Sequence, residues 1–118
     1  MSDNVKELSE RMAKVIRERG WERFDNPTQQ AMDIAVEAGE LLELFQWKPE
    51  KDLPQHMKEK KERIEAELAD VFLSCIKFAT INDIDLISAA WKKVEEMELK
   101  YPADKVRASG SWKKHNEL

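Results

Sequence analysis

Apolar residues recur along the chain at helical spacing, in four runs separated by short polar connectors. Val5, Leu8, Met12, Val15 and Ile16 form the first stripe. Ser2, Asp3 and Asn4 offer cap oxygens ahead of it, and Gly20 is placed to end it. The second run extends from about Pro27 to Gln46, with Asn26 as cap and Pro27 at the first helical position. Its apolar face is Ile34, Ala35, Ala38, Leu41, Leu42 and Phe45, and Gly39 within it predicts a close helix contact at that point. The third run, about Gln55 to Thr80, opens on wet turns in which Lys58, Lys60, Lys61 and Arg63 mix with Glu59, Glu62 and Glu65. From Ile64 onward it is apolar over most of its circumference, the mark of a helix buried in its own domain or partly by another subunit. The fourth carries Leu86, Ile87, Ala90, Trp91, Val94 and Met97 behind the cap candidates Asn82, Asp83 and Asp85, and stops at Tyr101-Pro102. This pattern predicts an all-α fold, an antiparallel four-helix bundle over residues 1–102, with a loose, basic tail over 103–118.

Two features depart from plain amphipathic helices. The connector after the first helix holds two large aromatics, Trp21 and Phe24, which read either as a lid on the core or as a platform on which a flat ring stacks. The third helix, apolar nearly all round, keeps its polar exceptions Glu67, Asp70, Ser74 and Lys77 within one strip of about 80°. A carboxylate on a mostly buried helix must be paired or bind a cation, because a lone buried charge is costly. On the second helix Gln30, Asp33, Glu37 and Glu40 form a line of their own, which by itself would read as a solvated face.

Composition narrows the classes. With 118 residues, 42% hydrophobic and 37% charged, the chain has the makings of one helical domain rather than a disordered segment. A net charge of −4 gives no overall basic field for nucleic acid. Cys75, the one cysteine, excludes an internal disulfide and fits a reducing cytoplasm. The charged N-terminus lacks a signal peptide's apolar run, and no stretch is long and apolar enough to span a membrane.

The chemistry lies in the paired acids. Glu37 and Glu40, and Glu67 and Asp70, are each three residues apart, one helical turn on the same face. If the second and third helices face each other, four carboxylates meet in one pocket. An all-oxygen set favours Mg²⁺, with Mn²⁺ as a substitute, over zinc or iron. His56 and His115 are not placed for the Glu-x-x-His element of di-iron bundles. There is no Gly-rich phosphate loop, so phosphates would be held by metal together with Lys or Arg. The expected reaction is metal-dependent cleavage of a nucleoside triphosphate. The alternative is a catalytically silent helical dimer whose acids make structural salt bridges with Lys77 and its neighbours.

The ordered set resembles the MazG-like, all-α nucleoside triphosphate pyrophosphatases, which carry Glu-x-x-Glu and Glu-x-x-Asp on neighbouring helices as Glu37/Glu40 and Glu67/Asp70 do here, with 26 residues between the pairs. Trp21-Glu22-Arg23-Phe24, Glu37-Ala38-Gly39-Glu40-Leu41, Phe45-Gln46-Trp47-Lys48 and Lys100-Tyr101-Pro102 look most like the small dCTP pyrophosphatase branch. The resemblance spans roughly residues 5–110. It implies that the four acids bind Mg²⁺ and that a (d)NTP is split to monophosphate and pyrophosphate. It further implies that Trp21 and Trp47 help enclose the base, and that Lys100 and Tyr101 sit near the phosphates or shape that end of the pocket. With Phe24, Lys48, Ser74 and Lys77 these complete the expected substrate-binding set. Homodimers, or tetramers built from dimers, with sites near subunit interfaces, are implied as well. The chain departs from the branch at Ser74, where a tyrosine is common, at Met12 and Asp25, where histidines are, and at Met97, where an asparagine is.

Overall fold

A computed structural model of the chain describes residues 4–23 and 26–110. Among them all regular structure is helical: α1 (Asn4–Arg19), α2 (Pro27–Glu43), α3 (Leu53–Glu59), α4 (Lys61–Ile81), α5 (Leu86–Lys100) and α6 (Ala103–Ser109), with short 3₁₀ turns at Trp21–Arg23 and Glu50–Asp52. The chain forms two compact units, Met1–Ile84 and Asp85–Leu118.

In the first unit, α4 packs against both α1 and α2. The α2–α4 pair is antiparallel: Gln30, early in α2, bonds Asn82 just past the end of α4, whereas Glu40, later in α2, meets Glu67 in the first half of α4. The buried apolar core is Ile16 of α1 with Ile64, Ile76 and Ala79 of α4. Each helix starts and stops for a local reason. Asn26 caps α2, its side-chain oxygen accepting from the Gln29 N–H at 2.8 Å, and Pro27 follows at the first turn, as the sequence predicts. Gly20 ends α1 at φ 62°, where a Cβ would come within 2.8 Å of the Arg23 guanidinium.

The third predicted helix is two helices. The chain breaks at Lys60 (φ −107°, ψ 18°), between α3 and α4. From Lys58 to Arg63 every residue is exposed, so no packing demands a continuous helix there. His56, by contrast, is buried: its Nε2 bonds the Leu44 carbonyl and its ring meets Phe45 edge-on at 5.6 Å, which fixes α3 against the end of α2. The expected enclosure of the third helix is also incomplete within the chain. Leu68 is 55% and Phe72 43% exposed on α4, and Met32 and Val36 of α2 are exposed too. A Cβ at Gly39 would meet no described atom within 4 Å, so the close helix contact predicted there is not made by the described residues.

In the second unit, Asp85 caps α5 by accepting from the Ser88 N–H at 3.0 Å, and Tyr101 closes it before Pro102. Where the sequence predicted a loose segment, residues 103–109 form α6, tied by an Arg107–Asp104 ion pair at 2.9 Å and ended by Gly110 at φ 68°. Val94, Met97, Glu98, Tyr101 and Val106 line an apolar groove within this unit.

Candidate metal and nucleotide site

The i,i+3 spacing within α2 and α4, combined with their antiparallel packing, brings four carboxylates together. One oxygen from each of Glu37, Glu40, Glu67 and Asp70 can be chosen so that all lie within 4.8 Å of one another. That is close to the largest separation of two oxygens on one Mg²⁺, about 4.2 Å, so small side-chain adjustments suffice to hold an ion. Glu37 and Glu67 are half-buried and Asp70 is exposed. The Oε2 atoms of Glu37 and Glu67 are buried with no hydrogen-bond partner among the described residues. Burial pushes the Glu67 carboxyl above its usual range. The charge of Glu40, a side-chain hydrogen bond to Glu40 and the charge of Asp70 act in the same direction, and Arg63 opposes them. Orphaned, buried, mutually repelling oxygens are the arrangement a hard divalent cation relieves, and the cluster can hold a metal ion.

Ion pairs among the described residues join Lys61 to Glu65, Lys93 to Glu96 and Arg107 to Asp104. Ser74 stands one turn of α4 beyond Asp70, half-buried, and Lys77 follows one turn later. The Lys77 ammonium lies 5.8 Å from the centroid of the Trp21 ring, and the Arg19 guanidinium is at the same distance. Trp21 is 41% exposed. Trp47 stands on the turn after α2 at φ 65°, 96% exposed. Lys48 lines a small cleft with Asp52, Gln55, His56 and Glu59. Lys100 and Tyr101 belong to the second unit, where Tyr101 lines the apolar groove. Phe24 lies outside the described residues.

Sequence reasoning missed Arg19 as a neighbour of Trp21; its only signal is a cation two residues before an aromatic, across a glycine that turns the chain. It also read Gln30 as part of a polar line. Gln30 is 3% exposed, and its Oε1 accepts from the Asn82 side-chain amide at 2.7 Å.

Residues 32–115 match the MazG-like family, and the chain belongs to that family. Among its relatives is human dCTP pyrophosphatase 1, 33% identical over 108 residues that cover 90% of this chain and 62% of the relative. The bovine dCTP pyrophosphatase 1 is 32% identical over 99 residues, 82% of this chain and 59% of the relative. The chain thus spans about three fifths of the length of these mammalian proteins. A pyrophosphatase of known crystal structure from Archaeoglobus fulgidus superposes with a TM-score of 0.79 at 30% identity, covering 86% of this chain and 95% of that one.

Proposed function

We propose that the chain is a Mg²⁺-dependent nucleoside triphosphate pyrophosphohydrolase, converting a (d)NTP and water to a (d)NMP and pyrophosphate. The observation that carries this reading is the four-carboxylate cluster with its two buried, unpartnered oxygens. Family membership and relatives named as pyrophosphatases support it. Glu37, Glu40, Glu67 and Asp70 hold the cation, Mg²⁺ or in its place Mn²⁺. A divalent ion bound there supplies charge neutralisation at the phosphate oxygens and lowers the pKa of a bound water. A carboxylate oxygen of the cluster not engaged by the ion orients the attacking water and accepts its proton. Trp21, Ser74 and Lys77 face the nucleotide beyond Asp70. Phe24, Trp47, Lys48, Lys100 and Tyr101 complete the substrate contacts proposed from the family pattern.

The working form is a homodimer or homotetramer in the cytoplasm, with residues 1–102 as its helical domain and 103–118 as a basic tail. Exposed Met32 and Val36 on α2, with Leu68 and Phe72 on α4, support self-association, since burying the half of each side chain still open to water is worth about 1 kcal/mol. No helix among the described residues is long and apolar enough to cross a membrane.

Pyrophosphate release from a panel of NTPs and dNTPs, with Mg²⁺ and with EDTA, tests the reaction. Release that requires Mg²⁺ is expected. A folded protein that cleaves none of the panel would favour the silent bundle instead.

A further inference from the structure

No described residue of α5 or α6 is buried. Val94 and Met97 of α5 are 43% and 55% exposed, and with Glu98, Tyr101 and Val106 they line a groove of about 600 Å³. Pockets of roughly 300–1,000 Å³ take a drug-sized ligand, so this groove has room for an indole. α6 has seven residues, too few to persist on helix propensity alone, so contacts to its apolar side chains have to hold it. Val106 is the α6 residue on the groove, and it is half-buried. The described residues thus leave the apolar seam shared by the two helices open to water.

The segment after α6 carries a cover of the right kind. Gly110 is left-handed at φ 68°, and its N–H donates back to the Val106 carbonyl at 3.2 Å. Such a cap turns the chain back, and an apolar side chain beyond the glycine commonly packs on the last turn of the helix. Residues 111–118 lie outside the described residues. In the sequence, Trp112 is the first apolar residue after Gly110, and Lys113 and Lys114 follow it. Two residues span at most about 7 Å, and Val106 lies about one helical turn before Gly110, so Trp112 is within reach of the groove. A tether this short holds the indole near the groove at an effective concentration on the order of millimolar, far above that of a second copy at micromolar protein. Charge matches as well. Glu98 is the acid of the described lining, and two cations follow Trp112. An exposed pairing of this sort sets orientation more than strength.

We propose that residues 111–114 form a strap on the second unit, with the Trp112 indole seated in the groove lined by α5 and α6 and with Lys113 and Lys114 beside Glu98. The occupant is the chain's own segment and not a second copy. Its indole supplies the core that α5 and α6 lack among the described residues. The strap does not depend on the reaction proposed above.

The test labels the full chain with fluorinated tryptophan and assigns the Trp112 fluorine resonance by its loss in Trp112→Phe. The resonance is expected away from its position in urea, nearly unmoved between H₂O and D₂O, and unchanged on dilution. Met97→Asp, at a side chain already open to water, should return it to the urea position while the circular dichroism stays helical. Trypsin cleavage after Lys113, followed by mass spectrometry, should quicken at least about tenfold in Met97→Asp and in Trp112→Ser, because cleavage follows the population of the undocked segment. A Trp112 resonance at its urea position in the unmodified chain, or one unmoved by Met97→Asp in a folded variant, would overturn the strap. A resonance that leaves the urea position only as the protein is concentrated would give the groove to a second copy and overturn it too.

Discussion

The side-chain amide of Asn82 donates to Gln30 Oε1 at 2.7 Å while also donating to the Phe78 carbonyl at 2.8 Å. One residue thereby closes the C-terminal end of α4 and ties it to the start of α2. The tie lies on the same antiparallel pair that carries the four acids, so it helps set the register in which Glu37 and Glu40 meet Glu67 and Asp70. Asn82→Ala leaves a buried amide oxygen unpaired and is expected to lower the unfolding free energy by about 1–3 kcal/mol in urea titration. The double variant with Gln30→Leu should recover part of that loss, because both polar partners are then gone.

Charge removal at the cluster separates catalysis from folding. Glu40→Gln and Asp70→Asn each keep the shape and remove one negative charge. Pyrophosphate release is expected to fall at least about 100-fold in either variant, with the helical circular dichroism unchanged. Near-normal turnover would contradict the ligand assignment.

The proton balance at Glu67 gives a pH signature. Burial and the neighbouring acids make its carboxyl hold a proton more tightly in the folded chain than in the unfolded one. The folded state therefore binds more protons over the interval between the two pKa values. The contribution to stability is fully present below the unfolded value, near 4.3 for a free glutamate, and is lost as pH rises through the raised folded value. The metal-free protein should thus lose a component of its melting temperature across that window, and Glu67→Gln should lack that component. Mg²⁺ should raise the melting temperature more at pH 7.5 than at pH 5, because protonation and the cation compete for the same oxygens.

Ile76 is 2% exposed and the largest fully buried side chain among the described residues. Truncation to alanine leaves a cavity at the heart of the first unit. Ile76→Ala should cost about 2–5 kcal/mol by chemical denaturation.

The exposed apolar pair on α4 predicts the state of assembly. Light scattering should give at least a dimer for the unmodified chain, and Leu68→Glu combined with Phe72→Glu should give the monomer mass. An unmodified chain that is monomeric at tens of micromolar would remove the proposed assembly.

What could be read from the sequence follows from how rigid each local rule is. The acid pairs were legible because a helix fixes the direction of side chains three residues apart, and the Asn26-Pro27 start because capping uses a specific oxygen and a fixed φ. Their convergence at Glu40 and Glu67 required only that two neighbouring helices run antiparallel. The break at Lys60 was hidden, since a run of Lys and Glu has high helix propensity on either side of it and the deciding contact is His56 with the distant Leu44 carbonyl. Gln30 could not be told from its solvated neighbours because its partner lies 52 residues away. The left-handed turns at Trp47 and Asp83 carry no glycine to announce them. Residues 103–109 are polar and short, and periodicity has little to act on there.

The open space beside Gly39 turns that residue into a gauge. A glycine inside a helix costs about 1 kcal/mol relative to alanine, and in the isolated chain an added methyl group would touch none of the described residues. Gly39→Ala should therefore raise the melting point of a dilute, dissociated chain. If a second copy lies close against α2 at that place, the same methyl group clashes, and the variant should melt lower than its parent once the protein is concentrated. The two melting curves, plotted against concentration, would then cross. The crossing point would report the strength of assembly from a single methyl group, without any probe or label.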